Sequence, residues 1–255
     1  MQKPSGRAPS DWRLPPGWAL QYRLVTESTN DDARRATVEG CPDRSVFLAD
    51  LQTRGRGRQG RSWVAALGQS LLFSLVLRRP IAPVYQTALC SVSIARAIRR
   101  TTGLDARIKW PNDLMVRDRK VCGILTEVVR AEAQPATIVG IGLNVNLALD
   151  TPGLPPTATS LSFERGIRID REAVFHAIAS EIDTRLTMSV RDLYDAVRTE
   201  WQALLWRRNQ VVRIDDDEAT LEGIVLGLTG TGALRIETPE GRTVEVAVGD
   251  LVIDA

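Results

Sequence analysis

The sequence predicts an α+β protein, with a large domain over 21–207 and a small all-β module over 208–255. Three observations carry this prediction. Strand-length apolar runs recur through the first 150 residues, interrupted by stretches of helical spacing. Two helical segments, over 170–187 and 190–205, close the larger unit. From Gln210 onward only short alternating runs remain, broken at Asp216-Asp217, Thr229-Gly230, Pro239-Glu240-Gly241 and Gly249-Asp250. That spacing suits about five strands, the scale of a little barrel.

In chain order, residues 1–20 hold Pro4, Pro9, Pro15, Pro16 and Gly17 and are expected to be a poorly ordered lead-in. Thr29-Asn30-Asp31-Asp32 looks like a helix start, with acids in the first turn and Gly40 as its stop. Strands are expected over 45–50 and 70–77. A helix follows Pro80 and Pro83, with Ala88, Val92 and Ala95 on one face and its end by Gly103. Four strand-like runs come next, over 106–110, 114–117, 121–129 and 136–147, and then a Pro- and Thr-rich loop over 150–157.

Composition narrows the function classes. Of 255 residues, 44% are hydrophobic and 25% charged, which is ordinary for a globular protein. A net charge of +2 argues against coating nucleic acid, so local basicity matters more than the total. Cys41, Cys90 and Cys122 have no metal-ligand spacing, and His176 is the single histidine. A zinc site is therefore not expected. No apolar segment precedes Trp18, and the apolar stretch around 71–77 is too short to span a bilayer. A cytoplasmic protein with reduced thiols is expected.

The densest chemical signal is Gly55-Arg56-Gly57-Arg58-Gln59-Gly60-Arg61-Ser62-Trp63. With Arg54, its arginines place permanently charged, bidentate donors on a thin backbone, suited to closing over an anion. A solvated surface or nucleic-acid loop is the competing reading of this segment. Gly55-x-Gly57-x-x-Gly60 also matches the dinucleotide fingerprint. However, no good helix start follows it, and no Asp or Glu occurs between Arg61 and Asp105. Trp63 is either a core anchor or a ring stacked on a ligand.

In Lys109-Trp110-Pro111-Asn112-Asp113-Leu114, proline keeps Trp110 extended, so Lys109 is presented from a strand end. Asn112 and Asp113 then offer oxygen ligands for a hydrated Mg²⁺ that arrives with a nucleotide, or simply form a turn. Lys120 begins the run Val121-Cys122-Gly123-Ile124-Leu125 and should share a strand face with Cys122 and Ile124. Over 139–147, Val139, Ile141, Leu143, Val145 and Leu147 alternate with Gly140, Gly142, Asn144 and Asn146. A face of two glycines and two asparagines reads as the floor under a polar ligand. There is no Ser/His/Asp set and no Cys/His pair close in sequence. Cationic donors, one carboxylate and a ligand floor suit phosphoryl or nucleotidyl transfer, where charge neutralisation dominates.

Together with Glu27-Ser28-Thr29-Asn30, Gln52 and Ala158-Thr159-Ser160-Leu161, these segments resemble a biotin protein ligase from about Tyr22 to the C-terminus. The resemblance implies a mixed-sheet catalytic domain related to class II aminoacyl-tRNA synthetases and an SH3-like C-terminal domain. It also implies two reactions: biotin and MgATP give biotinyl-5′-AMP, and the biotinyl group then passes to one lysine of a carboxylase carrier domain. Under it, Ser28, Thr29, Asn30 and Gln52 bind the biotin rings, with Arg56, Gly57 and Arg58 folding over them. Lys120 neutralises the reacting carboxylate or α-phosphate above Gly140 and Gly142. Lys109, Asn112, Asp113 and Asn144 handle phosphates and Mg²⁺, with Arg61 and Trp63 on the nucleotide side. Asp113 is also the candidate to help deprotonate the acceptor lysine.

Only 27 residues precede Ser28, too few for a winged helix-turn-helix, so no operator binding is expected. A monomer or homodimer fits equally. The arginine loop is expected to stay open until an anion arrives. Lipoate–protein ligase is the alternative on the same fold, and a non-catalytic nucleic-acid-binding protein is the alternative of another class.

Overall fold

A computed structural model describes residues 9–130, 135–215 and 220–252. The larger unit contains β1 (Ala19–Thr26), β2 (Ser45–Gln52), β3 (Ser70–Leu77), β4 (Arg107–Lys109), β5 (Asp113–Val116), β6 (Arg119–Val129) and β7 (Ala136–Asn144). They form one seven-stranded sheet in the order β1-β2-β3-β7-β6-β5-β4. Only β1 and β2 run parallel, so the sheet is mixed.

The two sheet faces are covered differently. On β7, Val139, Ile141 and Leu143 join Phe73 and Leu75 in a core with α2 (Pro83–Thr102). Between Leu161 and Arg165 runs the short α3, followed by α4 (Arg171–Leu186) and α5 (Val190–Leu204), and the last two pack into the same core. On the opposite face, α1 (Thr29–Val38) buries Ala33 against Phe47, Val76 and Ile138. Toward the N-terminus of α1 this second face becomes polar: Val76 and Ile138 are succeeded by Ser74 and Gly140, which pair in register. The period-2 reading of β7 predicted this division. The strand ends at Asn144, short of 147, although Val145 and Leu147 remain buried.

Three differences from expectation have physical causes. Residues 1–8 of the expected lead-in lie outside the described residues, but Trp12, Leu14, Trp18 and Leu20 of its remainder pack into the core. Trp12 is buried, with its ring 5.4 Å from Phe175 and the Arg171 guanidinium 5.5 Å above it. Strand β1 escaped notice because it is an edge strand, half exposed, without apolar alternation. Helix α2 starts on Pro83 itself rather than after it, since proline at the first helical position costs no hydrogen bond.

The C-terminal module comprises β8 (Val211–Asp215), β9 (Thr220–Leu228), β10 (Leu234–Glu237), β11 (Thr243–Val246) and β12 (Asp250–Val252). It is a five-stranded antiparallel sheet in the order β11-β10-β9-β8-β12. The break expected at Asp216-Asp217 lies outside the described residues. The β9–β10 turn docks on the larger unit. Trp110 Nε1 donates to Gly232 O at 3.0 Å, and the Tyr85 hydroxyl to Gly230 O at 2.8 Å.

Candidate functional site

Every residue assigned above to biotin, ATP or catalysis lines a single cavity of about 350 Å³, set where α1 begins, β7 turns polar and the arginine loop folds over, whereas Asn146 of the expected floor lies outside it and donates to Ile169 O at 2.9 Å. One end is neutral. Ser28 is the N-cap residue of α1, yet its side chain makes no capping bond, which leaves its hydroxyl to the cavity. Thr29 donates from both its backbone N–H and its hydroxyl to Gln52 Oε1, at 2.7 and 2.9 Å. Gln52 therefore presents its amide NH₂.

Asn30 behaves differently from expectation. Its Oδ1 lies 2.6 Å from the Ser74 hydroxyl, and its Nδ2 donates to Glu127 at 2.6 Å. Both ends of the amide are engaged, so Asn30 shapes the wall more than it offers a free donor. Ser74, fully buried and also 2.7 Å from the Thr29 hydroxyl, is a hub that sequence reasoning missed.

The glycine floor also differs in kind. A Cβ on Gly140 would stand 2.1 Å from Asn30 Oδ1, and one on Gly142 would stand 2.5 Å from the Trp63 indole. Gly123 pairs with Gly142 across β6–β7, and its Cβ would meet the same indole at 2.9 Å. These glycines make room for side chains, which in turn face the ligand space. Trp63 is thus seated on the sheet, with its buried Nε1 unpartnered among the described residues.

The other end of the cavity is charged. Its lining includes Arg58, Arg61, Lys109 and Lys120 against the carboxylates of Asp113 and Asp250. An excess of cations marks a place for an anion. The chain has three lysines, at 3, 109 and 120, and two of them stand here. Where arginine serves nearly every other cationic position, a retained lysine was a readable signal.

Lys120 reaches the cavity by a route that strict alternation hides. The β5–β6 register slips between Leu114 and Met115, leaving Val121 bulged. Val121 and Cys122 both go to the core. Lys120 turns instead with Gly123, its Nζ 3.3 Å from where a Cβ would sit. The expected shared face with Cys122 and Ile124 fails because a bulge resets the period. Lys120 pairs with Asp113 at 2.7 Å and lies 5.6 Å from the Trp63 ring centre. Burial holds the Lys109 ammonium below the ordinary lysine range, partly offset by Asp113. Asn112 donates to Ile124 O at 2.7 Å, and buried Asn144 donates to Thr159 O at 3.1 Å.

The arginine loop is folded, against the expectation of an open one. Trp63 N donates to Gly55 O at 2.9 Å and Gly57 N to Arg61 O at 2.6 Å. At the tip, Gln59 and Gly60 take positive φ values of 54° and 71°. Arg56 forms a bidentate pair with Asp31 at 2.6 and 2.7 Å, which holds the Asp31 carboxyl below its usual range and raises Arg56. Arg58 and Arg61 share Asp250 at 3.1 and 2.5 Å. Internal carboxylates thus supply the anions whose absence would have opened the loop.

His176 is exposed on α4 and does not line the cavity. The Cys90 and Cys122 thiols are buried, and burial pushes Cys90 up to about 12, which leaves it inert as a nucleophile. No helix among the described residues is long and apolar enough to cross a membrane.

Comparison with known proteins agrees with this geometry. Residues 22–146 match the Biotin/lipoate A/B protein ligase family, and residues 209–253 match the Biotin protein ligase C terminal domain. The chain is 33% identical over 232 residues to the bifunctional ligase/repressor BirA of Bacillus spizizenii, covering 88% of this chain and 71% of that protein. It is 30% identical to the biotin–[acetyl-CoA-carboxylase] ligase of Mycobacterium tuberculosis, covering 92% of this chain and 90% of that one. The structure of the Aquifex aeolicus biotin protein ligase, in complex with biotin and ATP, superposes with a TM-score of 0.78. That match is 25% identical and covers 92% of this chain and 97% of the other. A cavity with a neutral and a cationic end, a mixed sheet with a docked C-terminal module, and relatives matched over 71% to 97% of their own length agree: this chain belongs to the biotin protein ligase family.

Proposed function

We propose that this enzyme activates biotin with MgATP to biotinyl-5′-AMP and passes the biotinyl group to a lysine of a biotin carboxyl carrier domain. What supports it most is the division of one cavity into a hydrogen-bonding end at Ser28, Thr29 and Gln52 and a cationic end at Arg58, Arg61, Lys109 and Lys120. Within the cationic end, Lys120 stands beside the Gly123–Gly142 pair.

In the first step a biotin carboxylate oxygen attacks the α-phosphorus, and the bond to the pyrophosphate oxygen breaks. The carboxylate carries no proton, so no general base is needed, and a cavity without histidine suffices. Negative charge gathers on the α-phosphate oxygens, where Lys120 and Arg58 offset it. Lys109, Arg61 and Asn112 hold the leaving phosphates. In the second step the acceptor amine attacks the acyl carbon, AMP leaves, and the amine sheds a proton. We assign its acceptance to Asp113, the lining carboxylate that pairs with Lys120.

Among the described residues, no cluster of three or more His, Cys, Asp or Glu could hold a metal by itself. Asp113 offers one carboxylate, which suits a magnesium ion coordinated mainly by phosphate oxygens and water. When bound, the ion supplies charge neutralisation on the phosphates.

Pyrophosphate–ATP exchange tests the reading. Exchange is expected with biotin and Mg²⁺, and neither with lipoate nor without an acid. Exchange with lipoate would move the substrate, and none with either from folded protein would end the ligase reading. Biotin is favoured by the separate match of residues 209–253 to the biotin ligase C-terminal domain.

Lys109 adds a pH prediction. Desolvation lowers its affinity for a proton in the free enzyme, and bound phosphate restores it. The KM for ATP should therefore begin to rise with pH below the ordinary lysine value of 10.5. Lys109→Arg, which stays charged, should flatten the alkaline limb. An identical limb in that variant would exclude Lys109 as its source.

A further inference from the structure

We propose that Asp250, delivered by the C-terminal module, positions Arg58 and Arg61 in the ligand-free enzyme where the phosphates of ATP will bind. Asp250 is the residue of the C-terminal sheet that lines the cavity. It opens β12, pairs in register with Asp215 of β8, and is 21% exposed. One carboxylate oxygen lies 3.1 Å from Arg58 Nη1 and the other 2.5 Å from Arg61 Nη2. Arg58 Nη1 also reaches Asn112 Oδ1 at 3.3 Å. The two arginines stand on either side of the loop tip at Gln59 and Gly60, so one carboxylate closes the loop across its own turn.

This contact is held from behind. The module is fixed to the catalytic unit by Trp110 on Gly232, by Tyr85 on Gly230, and by Leu228 N donating to Gln202 Oε1 at 2.8 Å. Asp250 is therefore carried by docked secondary structure rather than by a free tail. Without it, Arg58 and Arg61 would face Lys109 and Lys120 across the cavity with Asp113 as the remaining lining carboxylate. Like charges at that density push an arginine loop open. With it, the loop is folded before substrate arrives, and the incoming phosphates take over donors already in place. The C-terminal module thereby acts as a positioning element for nucleotide. This inference rests on the assignment of Arg58 and Arg61 to ATP.

Limited trypsin digestion of the full ligand-free chain tests the latch without using activity, since trypsin cleaves after the loop arginines. Asp250→Asn is expected to be cut within 54–61 about fivefold to tenfold faster than wild type, as the open fraction rises. Asp250→Glu should restore slow cleavage, and the melting temperature of both should match wild type. In pyrophosphate exchange, Asp250→Asn should raise KM for ATP severalfold, and by more than it raises KM for biotin. Unchanged loop cleavage in Asp250→Asn overturns the proposal, as does a lowered KM for ATP, which would make Asp250 a mere competitor of phosphate. Faster cleavage throughout the chain with a lower melting temperature also overturns it, by reducing Asp250 to a fold contact. If wild type shows no exchange, the ligase reading fails, while the digestion still decides the latch.

Discussion

Lys120→Ala is expected to slow biotinyl-AMP formation by about a hundredfold to a thousandfold, the usual cost of deleting one preorganised group facing developing charge. The Lys120 side chain is 35% exposed and its partner Asp113 17%, so the ion pair stands inside the cavity mouth with one face open to substrate. When the ammonium is removed, the α-phosphate loses its neighbouring charge and Asp113 is left facing the incoming phosphates unneutralised. Both effects oppose the first step. Lys120→Arg should rescue only a small part. A planar fork cannot occupy the space that a compact ammonium fills beside Gly123. Asp113→Asn should separate the two half-reactions, slowing transfer from preformed biotinyl-AMP to the acceptor lysine more than it slows adenylation. Single-turnover measurements of each half-reaction decide this. Adenylation by Lys120→Ala within tenfold of wild type would remove Lys120 from the chemistry. Normal transfer by Asp113→Asn would remove Asp113 as the proton acceptor.

How much of this was legible in the sequence depends on which interaction sets each residue. Strand β3 was readable residue for residue because it is buried on both faces, so that its apolar run from Leu71 to Leu77 is interrupted by Ser74 alone. The alternating faces of β7 were readable for a related reason: one side is core and the other cavity. What failed was anything decided by a partner distant in the chain. The bulge at Val121 is set by pairing with β5, so counting by twos along β6 misplaces Lys120. Helix α3 spans five residues and begins on the Ser160 cap, too short to show a period. Asp250 stands 192 positions from Arg58, in a module whose own pattern says only that it is β. The loop's mutual repulsion was inferred from local sequence, whereas its neutralisation by Asp31 and Asp250 is tertiary.

The occupants of the glycine floor give the second large effect. Gly140→Ala should cost roughly 1–3 kcal/mol of stability, as overpacking of a filled site does. It should also weaken biotin binding by about tenfold to hundredfold, because a displaced Asn30 strands buried hydrogen-bonding groups. The new methyl carbon would start 2.1 Å from Asn30 Oδ1 and 2.8 Å from its Cγ, distances no side chain tolerates. Asn30 cannot retreat easily, since Ser74 holds one end of its amide and Glu127 the other. The strain therefore passes through Ser74 to Thr29, and from Thr29 to Gln52 at the neutral end of the cavity. A double-mutant cycle with Asn30→Ala distinguishes this from a general intolerance of β7. Removing the amide vacates the space that the methyl needs, so Gly140→Ala should cost little further stability in that background. Biotin binding should stay weak in the double variant, because the Ser74 hub has still lost a partner. Strictly additive losses of melting temperature would mean that Gly140 serves the strand backbone and not Asn30.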